Sequence, residues 1–138
     1  MADIDHFKRI NDTHGHQTGD EVLCEVARRM QRSLRRYDTL GRFGGEEFLL
    51  VLPECSLEQG VKLAERICHL VRSEPVKARN KPIEVSISLG VAVANPPVPV
   101  DLETLLGSVD AALYRAKEAG RNRVEFSANP RPSSGTPD

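Results

Sequence analysis

Apolar residues recur along the chain with two periods, and each change of period marks an element. Val22, Val26, Met30 and Leu34 return every four residues, with Leu23 and Ala27 beside them. That stripe predicts an amphipathic helix. Asp20 is placed as its N-cap, and its polar face carries Arg28, Arg29, Arg32, Arg35 and Arg36. Leu57, Val61, Ala64, Cys68 and Val71 predict a second helix running to about Arg72, opened by the Ser-x-x-Gln capping box Ser56-Leu57-Glu58-Gln59. Leu102, Leu105, Leu106, Val109, Leu113 and Ala116 predict a third, capped by Asp101 and stopped at Gly120. Phe48-Leu49-Leu50-Val51-Leu52, ended by Pro53, reads as a buried strand. Thr39-Leu40-Gly41-Arg42-Phe43 precedes it across Gly44-Gly45, and a glycine pair tolerates the positive φ of a tight hairpin. Residues 83–93 alternate apolar with small or polar residues and predict one strand. Pro75 and residues 77–81 mark a turn or short strand, Asn95-Pro96-Pro97-Val98-Pro99 a rigid loop, and residues 122–126 a last short strand. From Ser127 onward the polar, proline-bearing tail is expected to be disordered. Helices and strands in this order imply an α/β sandwich, with helices packed on a sheet.

Composition narrows the class. The 138 residues are one domain's worth, and 39% of them are hydrophobic. Nineteen Lys/Arg against twenty Asp/Glu give a net charge of −1, which excludes a polycation that holds nucleic acid or anionic lipid by bulk charge. No apolar run approaches the ~18 residues of a membrane span. Cys24, Cys55 and Cys68 have no metal-ligand spacing, and they read as reduced, mostly buried thiols of a cytoplasmic protein.

Two acidic pairs carry candidate chemistry. Asp3 and Asp5 flank Ile4, and alternation puts both acids on one side of an extended segment. Read alone, they are better taken as the solvated end of an N-terminal strand. Glu46-Glu47 follows the glycine pair, where adjacent carboxylates repel each other and invite a cation; such a pair is more commonly an exposed acidic turn. A Mg²⁺ site that handles phosphates needs few protein carboxylates, because water and substrate oxygens complete its octahedron.

Taken together, Asp3-Ile4-Asp5-His6-Phe7-Lys8, Asn11-Asp12, Gly15-His16-x-x-Gly19-Asp20 and Arg42-Phe43-Gly44-Gly45-Glu46-Glu47-Phe48 resemble, in order and spacing, the GGDEF family of diguanylate cyclases. The segment Ala111-Ala112-Leu113-Tyr114-x-Ala116-Lys117-x-x-Gly120-Arg121-Asn122 resembles that family's closing motif. The resemblance covers about residues 2 to 126, so residues 1–126 are taken as one such domain and 127–138 as a tail. It implies an α/β (α+β) domain of the palm-like nucleotidyl-cyclase type, a central mixed sheet flanked by helices. The implied activity condenses two GTP into cyclic di-GMP with release of pyrophosphate, across a homodimer in which each protomer holds one GTP.

The resemblance also assigns roles. Asp3 and Glu46 would bind metal, Mg²⁺ or Mn²⁺, two ions per half-site, with the Ile4 carbonyl as a further ligand. Either Glu46 or Glu47 would help take the 3′-hydroxyl proton. Gly44 and Gly45 would let the backbone approach the nucleotide, and Lys8, Lys117 and Arg121 would neutralise the triphosphate. Asn11 and Asp20 would read guanine, whose N1–H and amino group suit a carboxylate acceptor. His16 is read as a structural turn histidine. Arg35-Arg36-Tyr37-Asp38 matches the family's Arg-x-x-Asp product-inhibition site, with Arg66 as a second contributing arginine. Its plainer reading is an i,i+3 ion pair, worth only ~0.3–0.5 kcal/mol.

The departure from the family is at the front. Met1-Ala2 directly precede Asp3, where family members carry an upstream helix and an apolar strand, so the first strand is expected to be largely missing. Each lost apolar side chain removes roughly 1.5–3 kcal/mol of burial, against a typical total stability of ~5–15 kcal/mol. That deficit would unfold the domain or leave Asp3 on a mobile end, and it suggests an N-terminally truncated piece. An upstream sensory or dimerising domain is expected in the full-length protein. The rival reading is a non-catalytic cyclic di-GMP receptor that uses Arg35 and Asp38. A phosphodiesterase for the same messenger has no supporting motif.

Overall fold

Ala2, Asp3 and Ile4 form strand β1 (Ala2–Ile4), and the rest of the sheet is arranged around it. The structure, a computed structural model, describes residues 1–94 and 99–127. β1 runs antiparallel to two neighbours at once. Ala2 pairs with Phe48 of β3 (Glu47–Val51) and with Leu89 of β6 (Ile87–Ala92). Met1 continues the ladder, exchanging both backbone hydrogen bonds with Gly90 at 2.8 Å each. β2 (Thr39–Gly44) adds one edge antiparallel to β3, and β7 (Val124–Ser127) adds the other parallel to β6. The order is β2-β3-β1-β6-β7. A parallel pair needs a crossover, and α4 (Leu102–Glu118) supplies it.

The first strand is therefore short but formed, contrary to the expectation that it is largely missing. Backbone bonds on both sides and burial on both faces hold it. Ala2 and Ile4, 0% and 1% exposed, enter a core with residues of α2 (His16–Arg32) and α3 (Leu57–Arg72), among them Val26, Met30, Ile67 and Val71. Asp3 leaves by the opposite face, toward α4. It is 5% exposed and sits on no loose end. Gly90 sets how closely α4 lies on that face: a Cβ there would stand 2.5 Å from the Leu113 nitrogen and the Val109 oxygen. The helix backbone thus rests directly on the strand, with Val109 and Leu113 packed against Met1 and Leu49.

Several element boundaries differ from the sequence reading. A helix α1 (Phe7–His14) was not predicted; it buries only Phe7 and Ile10, too few positions to show a period. Gly15, with φ 90, turns the chain into α2, which starts at His16. Asp20 is thus inside the helix rather than its N-cap, and His16 is an exposed helix start rather than a turn histidine. α2 ends at Arg32, before Arg35 and Arg36. Arg29, expected on the polar face, is 4% exposed. Its guanidinium donates to the carbonyls of Val71, Glu74 and Pro75 at 2.7, 2.7 and 3.1 Å, satisfying acceptors where α3 ends. The strand predicted over 83–93 divides. β5 (Lys81–Ile83) pairs with β4 (Val76–Ala78) as a separate hairpin, whose two-residue turn puts Arg79 and Asn80 at φ 50 and 63. Ser127, assigned to the tail, is the last residue of β7. The rest of the tail and positions 95–98 of the proline loop lie outside the described residues. The Ser56 capping box, the Asp101 cap and the hairpin at Gly44-Gly45 form as expected. Of the three cysteines only Cys68 is buried.

At the end of β1 away from Asp3, an apolar cavity of about 740 Å³ opens between the sheet, α3 and α4. Met1, Leu50, Leu63, Val91 and Leu106 are among its walls, and no residue of the acidic cluster lines it.

Candidate active site

The hairpin bend is fastened to the end of β1 by one backbone bond, Ile4 N–H to the Glu46 carbonyl at 3.2 Å. Asp3 is opposed in register by Glu47 on one side and by Ser88 on the other. Directly opposed residues leave a sheet by the same face, with Cβ atoms ~4.5–5.5 Å apart. Glu47 therefore faces α4 together with Asp3, and Glu46 precedes it at the bend. From the other side Lys117 of α4 donates to Asp3 Oδ2 at 2.7 Å. Burial raises the Asp3 carboxyl above the usual carboxylate range; the Lys117 hydrogen bond and charge oppose the rise, and the charges of Glu46 and Glu47 add to it. Three acids from two separate segments thus feel one another across a partly dry space.

The bend itself is braced by a side chain and open. A β-bulge lies between Arg42 and Gly44, leaving Phe43 exposed, and the Arg42 side chain donates to the Gly45 carbonyl at 2.8 Å. Gly45 has φ 44, the left-handed region that favours glycine. A Cβ at Gly44 or Gly45 would meet no atom within 4 Å, so the space above the bend is free for a ligand.

The donor set fits a divalent cation that keeps most of its shell outside the protein. Among the described residues no three His, Cys, Asp or Glu side chains already surround a common point. Hard oxygen donors are nevertheless gathered at Asp3, Glu46 and Glu47, beside open space, and Asp3 bears one ammonium partner. That arrangement suits an ion whose remaining ligands come from water and phosphate oxygens. Ile4 buries its side chain in the core, so only its backbone is available to the site.

The other predicted site residues fall into two groups. Asn11 on α1 packs against Gly19 of α2, where a Cβ would overlap its Oδ1. That oxygen is buried and has no hydrogen-bond partner among the described residues. A buried acceptor without a donor is costly unless a ligand completes it. Asp20, next to Gly19 in α2, is exposed. Lys8 is exposed on α1, and Arg121 is exposed in the α4–β7 turn at φ 63.

Arg35, Asp38 and Arg66 gather elsewhere, at the end of α2. The Arg35 guanidinium donates to Asp38 Oδ1 at 3.0 Å and to the Pro53 carbonyl at 3.0 Å, and it stacks 4.8 Å from the Tyr37 ring centroid. The Arg35 hydrogen bond holds the buried Asp38 carboxyl below the usual carboxylate range. Arg66 of α3 donates to the Ser33 carbonyl at 3.1 Å and so lies alongside.

Sequence reading missed one part of the site. Asp5 is sequestered by Ser86, Ser88 and the Asn122 backbone. The alternation Ser86-Ile87-Ser88, which puts two hydroxyls on one face of an apolar strand, was the available signal.

The fold recurs in known proteins. The family model described as "Diguanylate cyclase, GGDEF domain" matches residues 1–123. The chain is 43% identical to the diguanylate cyclase DgcP of Pseudomonas aeruginosa, covering 91% of this chain and 18% of that protein. It is 45% identical to the diguanylate cyclase DosC of Escherichia coli, covering 91% and 27%. Among solved structures, the GGDEF domain of DgcB from Caulobacter crescentus in complex with c-di-GMP superposes with a TM-score of 0.84 at 38% identity, over 91% of this chain and 74% of that one. The active GGEEF domain of a diguanylate cyclase from Vibrio cholerae gives 0.82 at 36%, over 93% and 80%. The chain spans about a third or less of the two curated relatives named here. With its sheet, its Gly-Gly-Glu-Glu-Phe bend and a family match over residues 1–123, the chain belongs to the GGDEF family.

Proposed function

We propose that the chain is the catalytic domain of a diguanylate cyclase, joining two GTP into cyclic di-GMP and releasing two pyrophosphates. The observation that carries this reading is the meeting of Asp3, Glu46-Glu47 and Lys117 beside an open glycine bend. Lys8, Lys117 and Arg121 bind the triphosphate and offset its charge. Asn11 and Asp20 orient guanine, the orphaned Asn11 oxygen taking a donor from the base. Gly44 and Gly45 admit the nucleotide over the bend. Two protomers face each other, and each 3′-oxygen bonds to the α-phosphorus of the opposite GTP as the bond to pyrophosphate breaks. Glu46 or Glu47 takes the hydroxyl proton. Asp3, Glu46 and the Ile4 carbonyl would hold divalent cation, Mg²⁺ or Mn²⁺, two per half-site, which supplies charge neutralisation and a lowered hydroxyl pKa.

Incubation with GTP and Mg²⁺ at high protein concentration should yield pyrophosphate and a cyclic dinucleotide, and Asp3→Asn should remove both. A folded sample that gives no product at any concentration sinks the reading.

The paired, stacked Arg35 favours a second ligand site, for product. Cyclic di-GMP offers guanine faces and phosphates, which suit a stacking, forked guanidinium. Bound there, product restrains turnover. Arg35→Ala should relieve inhibition by added cyclic di-GMP while leaving initial turnover in place. If the chain binds the dinucleotide through Arg35 but never turns over GTP, it is a receptor rather than a cyclase.

A further inference from the structure

The two acids of the Asp-Ile-Asp segment have different surroundings. Asp3 meets one ammonium and faces the glutamates. Asp5, 7% exposed, is saturated by donors. Ser86 and Ser88 each donate a hydroxyl to it at 2.6 Å, and the Asn122 backbone N–H donates to Oδ2 at 3.0 Å. Three hydrogen bonds, two of them short, leave this carboxyl group little capacity for a cation.

The third donor belongs to the turn that carries Arg121. Arg121 and Asn122 stand at φ 63 and 51, two consecutive non-glycine residues in the left-handed region. Side chains rarely adopt that region, so a pair of them persists only where neighbours hold it. Arg121 N–H returns to the Ala116 carbonyl at 2.9 Å, which closes the end of α4. The Asn122 side-chain oxygen accepts from Arg72 of α3 at 3.3 Å. Among the described residues, Asp5 supplies the side chain that accepts from this turn's Asn122 N–H, the Arg123 guanidinium donates to the Arg121 carbonyl at 3.2 Å, and the Asp5 backbone N–H is tied to the Ser86 carbonyl at 2.9 Å.

We propose that Asp5 is a positioning residue: by capturing the Asn122 amide it locks the left-handed turn that aims Arg121 at the triphosphate. The inference rests on the reading of Arg121 as a triphosphate ligand. In this division of labour Asp3 serves the ion and Asp5 serves the arginine.

The test is a double-mutant cycle on affinity for α,β-methylene GTP, with unfolding curves to certify each variant. Asp5→Asn keeps one acceptor oxygen but removes the carboxylate charge and one of the two oxygens that Ser86, Ser88 and the Asn122 N–H share, and it should weaken binding about tenfold, the worth of one hydrogen bond to a charged group. Arg121→Ala should weaken binding comparably, and the double variant should be no weaker than the worse single. Asp5→Asn combined with Lys8→Ala should instead multiply the two losses. The paired variant Ser86→Ala/Ser88→Ala keeps the Asn122 bond and should stay within about threefold of the parent. Unchanged affinity in Asp5→Asn, or multiplicative losses in the Asp5/Arg121 pair, overturns the proposal. Should Asp5→Asn fail to fold, the parent chain decides: its Asn122 amide must be protected from hydrogen exchange, and free exchange overturns the lock. If Arg121→Ala binds the analogue normally while that amide is protected, the role of Arg121 fails and the lock itself stands.

Discussion

Lys117 and Asp3 hold each other in a contact that cation binding must alter. Burial is the largest influence on Asp3 and keeps its carboxyl above the ordinary value of 3.8. The sign follows from linkage. An acid with a raised folded pKa contributes stability that is complete below its unfolded value and is lost as pH rises through the folded one. Without added cation, stability attributable to Asp3 should therefore fall as pH climbs above 3.8. Urea unfolding of the parent and Asp3→Asn across pH should show this in the difference of the two profiles, because Asp38 acts in the opposite sense in both. Asp38 has a lowered pKa, so its contribution is present above the ordinary value and disappears as pH falls through the folded one. Added Mg²⁺ should raise the melting temperature of the parent and leave that of Asp3→Asn where it was.

The elements place these residues through two close approaches. Gly90→Ala puts a methyl group 2.5 Å from the α4 backbone, and backbone cannot rotate aside as a side chain does. Overpacking of that kind costs ~1–3 kcal/mol. It should also lift Lys117 away from Asp3, so turnover should fall further than the loss of folded protein explains; activity per folded molecule is the measurement. Arg29 works at the opposite end of α3. Replacing it with methionine keeps much of the buried stem but strands three carbonyls and Glu25, at a cost of ~3 kcal/mol read from chemical denaturation. Helical periodicity placed Arg29 among exposed arginines, since a stripe of one helix contains nothing about the end of another. The helices α2, α3 and α4 were legible because each has a long apolar stripe and two of them have side-chain caps. α1 was not, because eight residues with two buried positions define no period.

For the whole molecule, the short central strand is the decisive feature. Its three residues are bonded on both sides by β3 and β6, and the two faces of the strand serve different neighbours. The loss of apolar side chains led to the expectation of an unfolded domain or a mobile Asp3; in the structure the ladder on both sides and α4 over the second face enclose Asp3. The proposed chemistry belongs to a larger unit still, since each GTP needs a second protomer opposite it. Product formed per protomer should therefore rise with protein concentration and level off only where the dimer is saturated. A rate per protomer that is flat over a hundredfold dilution would exclude the two-protomer arrangement.

The helical stripes, the glycine bend, the ordered motifs and hence the family are written in the order of the residues, because period, turn chemistry and spacing are local properties of the chain. Folding is what joins Asp3 to Lys117 across 114 positions and binds Asp5 to serines and a left-handed turn. Two acids on either side of one isoleucine have the same local description. What separates them is the set of donors that distant strands and helices bring to each, and that set exists only once the chain has folded.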